Sequence, residues 1–414
     1  MNPEPVVIVG AGLAGLACAL ELQKNKIPFL LLEASDAPGG RVRTDIVDGF
    51  QLDRGFQVYL TAYPEGERLL DYGALQFGSF SPGAMVRLNG NFHRVMDPWR
   101  EPFAALAGIL NPVGNMKDKL LVARLRAVAM AGKADDLLNK VEKPSHQALQ
   151  EYGFSQNMID RFFRPFFGGI MLDADLNVSS RMLEYVFRMM ASGDTVLPSQ
   201  GMGAIPAQLA SRLPANSIRY NTRVESITKN TVRIEGNEEL KASAVVVATD
   251  GPTAARLLPE IAHVESRMAM TLYFSIRGHA PIADPIIMLN GDMEWPIQNA
   301  CIPSLVCPNY APAGHHLASV VVLGDPAQSD QQMEAAVRKQ LGQWLDQNLD
   351  TWKLLRIYRI LNAHPAHRPE TVAEKATRLE SGVYVCGDHR FMPSIQASLV
   401  NGRHAAEAVA ANAG

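Results

Sequence analysis

The sequence predicts an α/β protein, with a parallel-sheet domain drawn from both ends of the chain and an inserted α+β domain of antiparallel sheet plus helices. Three observations predict it. A β-branched strand at Val6–Val9 enters a glycine turn and then an alanine-rich helix. Two further apolar runs, 244–248 and 382–386, stop abruptly at Thr249-Asp250-Gly251 and Gly387-Asp388, as central parallel strands do. The 414 residues exceed what one hydrophobic core usually organises, which calls for two domains.

Composition narrows the function classes. With 47% hydrophobic and 20% charged residues the chain is ordinary globular material. Lys plus Arg number 39 against 42 for Asp plus Glu, a net charge of −3, so no nucleic-acid partner is expected. The four cysteines are scattered, which predicts no metal site and a reducing, cytoplasmic compartment. Residues 1–5 carry no leader pattern, and neither 103–110 nor 120–131 is long enough to span a bilayer. Any membrane contact is therefore peripheral, with 102–130 as the candidate face, although a solvated basic helix is the simpler reading of that segment.

Along the chain, Val6–Val9 leads without a polar residue into Gly10-Ala11-Gly12-Leu13-Ala14-Gly15. The following Leu13–Lys24 segment is free of proline, and Gly15, Cys18 and Ala19 give it a small-residue face that can lie close to a sheet. Phe29–Leu32 is the second strand, with Glu33 at its carboxyl end, completing a βαβ unit. Residues 61–188 read as mostly helical, with boundaries at Pro98, Pro102, Pro112, Pro144 and Pro165. Strands are expected at 217–227, 231–234 and 244–248, and an antiparallel sheet from 270–276, 286–289 and 317–323. A helix at 331–348, strands at 353–361 and 382–386, and a helix at Ile395–Ala411 follow. The parallel-sheet domain is thus expected from 1–60, 195–265 and 366–414, and the inserted domain from 61–194 and 266–365.

Gly10, Gly12 and Gly15 have the spacing that a dinucleotide pyrophosphate requires: a tight turn, a close backbone approach, and a helix amino end whose N–H groups favour phosphate. Glu33 stands where it can accept the ribose hydroxyls, which makes the domain Rossmann-like. The next stretch, Glu33-Ala34-Ser35-Asp36-Ala37-Pro38-Gly39-Gly40-Arg41-Val42-Arg43-Thr44, resembles the flavin-dependent amine oxidoreductase superfamily, which holds monoamine oxidases, protoporphyrinogen oxidases and carotenoid desaturases. The likeness continues through Asp53-Arg54-Gly55-Phe56-Gln57, 197–202, Thr222-Arg223-Val224, Gly387-Asp388 and 393–398. Over 161–169 it leans toward phytoene-desaturase-like proteins.

This resemblance implies FAD, bound noncovalently. It assigns Gly10, Gly12, Leu13, Ala14 and Gly15 to the first cradle, Glu33, Ala34 and Val224 to the adenosine, and Gly39, Gly40, Arg41 and Val42 to the second cradle. Gly55 and Phe56 pass near the flavin ring, Ala248 and Thr249 end a neighbouring strand, and Gly387 and Asp388 meet the ribityl or ribose hydroxyls. Ser394, Ile395, Gln396 and Ala397 open a helix whose N–H groups face the charge on reduced flavin. Family amine oxidases place a lysine beside the flavin, whereas Lys339 is the only lysine between Ser266 and Trp352.

Catalytic candidates are then Gln57, Tyr59 and His389, with Arg390 beside it. The expected function is FAD-dependent transfer of a hydride from a largely apolar, carotenoid- or isoprenoid-like substrate, with oxygen or a quinone as acceptor. Amine or porphyrinogen oxidation and non-redox isomerisation are the alternatives. The runs 162–167 and 182–190 are expected to be plain core, or else the lining of a substrate tunnel.

Overall fold

The computed structural model describes residues 4–108, 111–369 and 375–412. Expectations for residues 1–3, 109–110, 370–374 and 413–414, which belong to the predicted domains, lie outside the described residues. One sheet is wholly parallel, with strand order Ile218–Arg219, Phe29–Leu32, Val6–Val9, Ala244–Val247, Tyr384–Val385. Val6–Val9 is central and buried along its whole length, which is why it reads as continuous β-branched sequence rather than alternation. The Leu13–Lys24 and Ile395–Ala411 helices pack together at backbone distance. A Cβ on Gly402 would stand 2.1 Å from the Ala14 carbonyl oxygen, so only glycine permits this approach.

The second large sheet has seven strands, in the order Lys353–Pro365, Ser266–Arg277, His315–Leu323, Asn299–Cys301, Ile287–Asn290, Gly83–Leu88, Asn91–Met96. Its last two strands correct the helical reading of 61–188. They form a hairpin around Asn89-Gly90, both at positive φ (51° and 78°), the turn chemistry that a two-residue hairpin loop demands. Alternating burial along Gly83–Leu88 turns Ala84, Val86 and Leu88 inward, and the strand joins Ile287–Asn290 in parallel. The two inserted pieces of chain therefore share one sheet. A small sheet pairing Tyr59–Leu60, Thr195–Leu197 and Gly78–Ser79 runs across the predicted boundaries at 60/61 and 194/195.

Other expectations shift at their edges. The run 217–227 divides into Ile218–Arg219 and Val224–Ile227. The helix expected at 331–348 is Asp330–Leu345, fixed by a capping box in which Ser329 accepts from Gln332 N–H. The strand expected to end at 361 continues to Pro365, which carries Ala363 and His364 toward the parallel sheet. The longest helices of residues 61–194 are Met116–Met130 and Ser180–Ser192, with Pro102–Ala107, Ser145–Tyr152 and Arg164–Met171 beside them and a π-helical turn at Ile159–Phe163.

Candidate active site

The cradle is built from backbone. Gly10 has φ 104°, and a Cβ on Gly15 would stand 1.9 Å from the Gly10 carbonyl oxygen, so these two glycines let the helix close onto the strand. Gly12 differs: a Cβ there would meet nothing within 4 Å. Its Cα looks into a cavity, and the Leu13–Lys24 helix that it caps has no side-chain cap and no acid in its first turn. The first N–H groups are thus left for an anion. Gly39 N–H donates to the Ala11 carbonyl at 2.8 Å, laying the second glycine pair alongside the first. Glu33 is aimed by its own neighbours: one carboxylate oxygen accepts from Ala11 N–H at 2.8 Å, the other from Ser35 N–H at 2.8 Å and Ser35 Oγ at 2.7 Å.

Farther along, Arg41 forms an ion pair with Asp388 at 2.7 Å and also donates to the Ala363 carbonyl at 3.2 Å. Burial alone would push the Asp388 carboxyl up, but the Arg41 guanidinium outweighs it and holds the group below its ordinary value. Gln57 Nε2 donates to the Arg41 carbonyl at 3.0 Å, and Phe56 N–H donates to Thr271 Oγ1 at 3.2 Å. That last bond ties the flavin-type segment to the seven-stranded sheet.

These groups line one cavity of about 860 Å³. It runs from Glu33, Ala34 and Val224, past Gly10, Gly12, Leu13, Ala14, Gly39, Gly40, Arg41 and Val42, to Gly55, Phe56, Gln57, Ala248, Thr249, Gly387, Asp388, Ser394 and Ile395. It continues between Phe162, Phe163, Phe166, Phe167, Ile170, Met182, Phe187 and Met190, and it reaches Asp97, Trp99 and Arg126. The aromatic and methionine runs therefore divide between core and cavity: Leu183, Tyr185 and Met189 pack inside, while Phe162, Phe166, Phe187 and Met190 help wall a tunnel, and Phe162 stacks on Phe166 with centroids 5.4 Å apart. Glycines that leave room, a helix amino end, and carboxylates at two separated points fit a dinucleotide carrying a further group beyond its pyrophosphate. No lysine lines the cavity among the described residues.

Several predicted residues lie elsewhere. Gly15 serves helix–strand packing. Tyr59 is fully buried, bonded to Tyr72 OH at 2.9 Å and stacked on Phe77, so it belongs to an aromatic core rather than to the site. His389 packs over Gly387 outside the cavity, and Arg390 turns to the Ala376 carbonyl at 2.7 Å. Gln396 accepts from Glu65 N–H at 3.0 Å, and Ala397 N–H is taken by Ser394 Oγ at 3.0 Å, so both face away. Conversely, Thr271, Ile360, Ala363, His364 and Asp250 line the cavity without having been singled out.

Three histidines near Asp388 carry a pH consequence. His364, His367 and His389 are each pushed down to about 4, first of all by burial. A depressed base is neutral in the fold while the unfolded chain binds a proton, so its stability is complete above its ordinary value of 6.5 and lost as pH falls toward 4. The loss is roughly 3 kcal/mol per histidine. Asp53 opposes them, since burial raises its carboxyl to about 6. Its contribution is full below its ordinary value and fades as pH rises through 6. Three groups against one leave a net uptake of about two protons on unfolding, so Tm should fall steadily from pH 7 to pH 5. A melting temperature that is flat or rising over that interval would show these imidazoles to be charged in the fold.

Comparison with known proteins places this geometry. The family described as flavin containing amine oxidoreductase matches residues 13–410. A phytoene dehydrogenase of Streptomyces griseus is 28% identical over 328 residues, covering 71% of this chain but only 61% of that relative's length. Protoporphyrinogen oxidase 2 of Arabidopsis thaliana is 26% identical over 171 residues, 41% of this chain and 33% of its own. Among solved structures, putrescine oxidase bound to putrescine superposes with TM-score 0.72 at 17% identity, covering 99% of both chains. Reduced UDP-galactopyranose mutase does so with TM-score 0.70 at 15% identity, covering 99% of this chain and 96% of that one. At such identities the structural likeness speaks for the fold alone.

Proposed function

The chain belongs to the flavin-containing amine oxidoreductase family, and on that footing we propose that it is an FAD-dependent dehydrogenase acting on a long, largely apolar substrate of the isoprenoid or carotenoid type. The observation that carries this reading is the tunnel wall between Phe162 and Met190, whose lining side chains bear no charge, while Asp97 and Arg126 at the end of the cavity are paired with each other at 3.4 Å. An alkylammonium entering it would lose its hydration without a counter-ion, which costs several kcal/mol, roughly, in an apolar site. A hydrocarbon chain loses nothing polar and gains burial. The absence of a cavity lysine points away from amine oxidation in the same direction.

FAD, the cofactor, supplies a two-electron acceptor for hydride, regenerated by oxygen or a quinone. Gly12, Leu13 and Ala14 hold the pyrophosphate by backbone, Glu33 takes ribose hydroxyls, and Asp388, kept ionised by Arg41, accepts from the hydroxyl chain between phosphate and ring. Binding is noncovalent: no cysteine lines the cavity, and Cys386 is fully buried with its thiol pushed up to about 12 by burial. Gly55 and Phe56, fastened to Thr271, close one side of the reacting region, and the aromatic wall excludes water from the other. In the reaction the substrate's C–H bond would break with its electron pair leaving as hydride to the bound cofactor, the adjacent carbon would release a proton to solvent, and a C=C bond would form between the two carbons.

Anaerobic titration of the holoprotein tests the proposal. Bleaching of the flavin absorbance by detergent-dispersed polyenes, and not by primary amines, is the expected outcome. The Phe166→Asp variant should keep its flavin and lose about 100-fold in kcat/KM, equivalent to about 3 kcal/mol. Bleaching by amines alone sinks the substrate class, and turnover without any bleaching would transfer the site to non-redox chemistry.

A further inference from the structure

Among the described residues, eight of the thirteen exposed large apolar side chains fall within 99–141, a concentration that a solvated domain surface does not need. Phe103 is 88% exposed, Leu106 65%, Leu120 70% and Met116 53%. They stand on the Pro102–Ala107 and Met116–Met130 helices. Trp99, half exposed, lies 4.7 Å from the Arg126 guanidinium and so joins the first segment to the second.

Exposed charge on the longer of these two helices has one sign. The Met116–Met130 helix carries Lys117, Lys119, Arg124 and Arg126 against a single acid, Asp118. That acid is wholly buried, accepting from Asn115 N–H, Ser155 N–H and Ser155 Oγ, whereas Lys117 and Arg124 are exposed. The same segment also borders the tunnel, because Trp99, Val122 and Arg126 line the cavity. An apolar, basic face thus surrounds the point at which the apolar tunnel meets the surface. No helix among the described residues is long and apolar enough to cross a membrane, so contact here is one-sided.

We propose that this face docks on an anionic lipid bilayer, with Phe103, Leu106 and Leu120 entering the interface and Lys117 and Arg124 meeting the headgroups, so that substrate passes from the bilayer into the tunnel beside Trp99. The route for substrate rests on the apolar-substrate reading above; the docking does not. An apolar substrate dissolved in lipid then never crosses water.

Flotation of the flavin-loaded protein with vesicles tests the docking. Co-flotation is expected with phosphatidylcholine containing about one third phosphatidylglycerol, declining as salt is added, and weaker with phosphatidylcholine alone. The variant carrying Phe103→Ser and Leu120→Ser should keep its flavin spectrum and bind these vesicles roughly tenfold or more weakly. Lys117→Glu with Arg124→Glu should lose only the preference for anionic lipid. No flotation at low salt, or a double serine variant that floats like the parent, overturns the proposal. So does a concentration-dependent dimer that the serine variant abolishes while vesicles are ignored. Flotation without bleaching by any isoprenoid would leave the docking standing and remove the substrate reading; bleaching without flotation would do the reverse.

Discussion

Purified Gly12→Ala protein is expected to fold normally and to carry almost no flavin. The residue sits at φ −71° and ψ 179°, extended backbone that alanine adopts without strain, and its added Cβ would touch no protein atom within 4 Å. Folding should therefore be unaffected. The same methyl group fills the space in which a phosphate must approach the helix amino end, so affinity should fall by roughly 100-fold, about 3 kcal/mol. Gly15→Ala is the instructive contrast. There the Cβ would lie 1.9 Å from the Gly10 carbonyl oxygen, and the first helix could not close on its strand. Melting curves of the two apoproteins, read beside their flavin content, separate binding from folding. A flavin-replete Gly12→Ala protein would show that the pyrophosphate lies elsewhere.

The second large effect is expected at Asp388→Ala. Asp388 is buried and paired with Arg41 at 2.7 Å, and each group pulls the other toward its charged form. Removing the carboxylate leaves the guanidinium with the Ala363 carbonyl and the weaker pull of Asp250. Breaking a buried pair from one side costs about 3–5 kcal/mol of stability, and flavin should be lost as well. Asp388→Asn keeps an acceptor without the charge and should fall between. In the parent, this pair stabilises the fold at neutral pH and fails only as pH drops below the usual carboxylate range. Equal flavin content in all three proteins would remove Asp388 from the binding site.

The cradle was legible because its chemistry is local. Gly10 to Gly15 and Glu33 declare themselves through spacing within a few residues, Gly39 to Arg41 and Gly387-Asp388 through the resemblance of short contiguous segments to the family, and the structure gathers nearly all of them around one cavity. What was not legible depended on which way a side chain turns. Val58 and Leu60 line the cavity while Tyr59 between them faces the opposite side, as strand alternation requires. Ile395 and Ser398, three apart on a helix, share the cavity face that Gln396 and Ala397 leave.

Thr271, Ile360 and Ala363 come together through a pairing between strands some ninety residues apart, Ser266 opposite Pro365, which no local pattern announces. The hairpin over 83–96 is a different failure. Its Asn89-Gly90 turn signal is present in the sequence, but the helical reading of 61–188, punctuated by prolines alone, passes over it. Phe162 and Phe166 could not be assigned from sequence at all, since a wall facing a tunnel and a wall facing a core carry the same apolar period.

The pairing of Gly83–Leu88 with Ile287–Asn290, and of Val6–Val9 with Ala244–Val247, fixes an order of events during synthesis. The first strand is covered on one edge by Phe29–Leu32 soon after synthesis but leaves the ribosome more than two hundred residues ahead of Ala244–Val247, its partner on the other edge, and the parallel sheet gains its last strand only at Tyr384–Val385. The seven-stranded sheet must likewise wait for Lys353–Pro365. Neither half can finish before the other is nearly translated. The nascent chain therefore exposes the unpaired edge of Val6–Val9 for most of its elongation, roughly 10–50 s at 5–20 residues per second, the interval in which a chaperone has the most to shield.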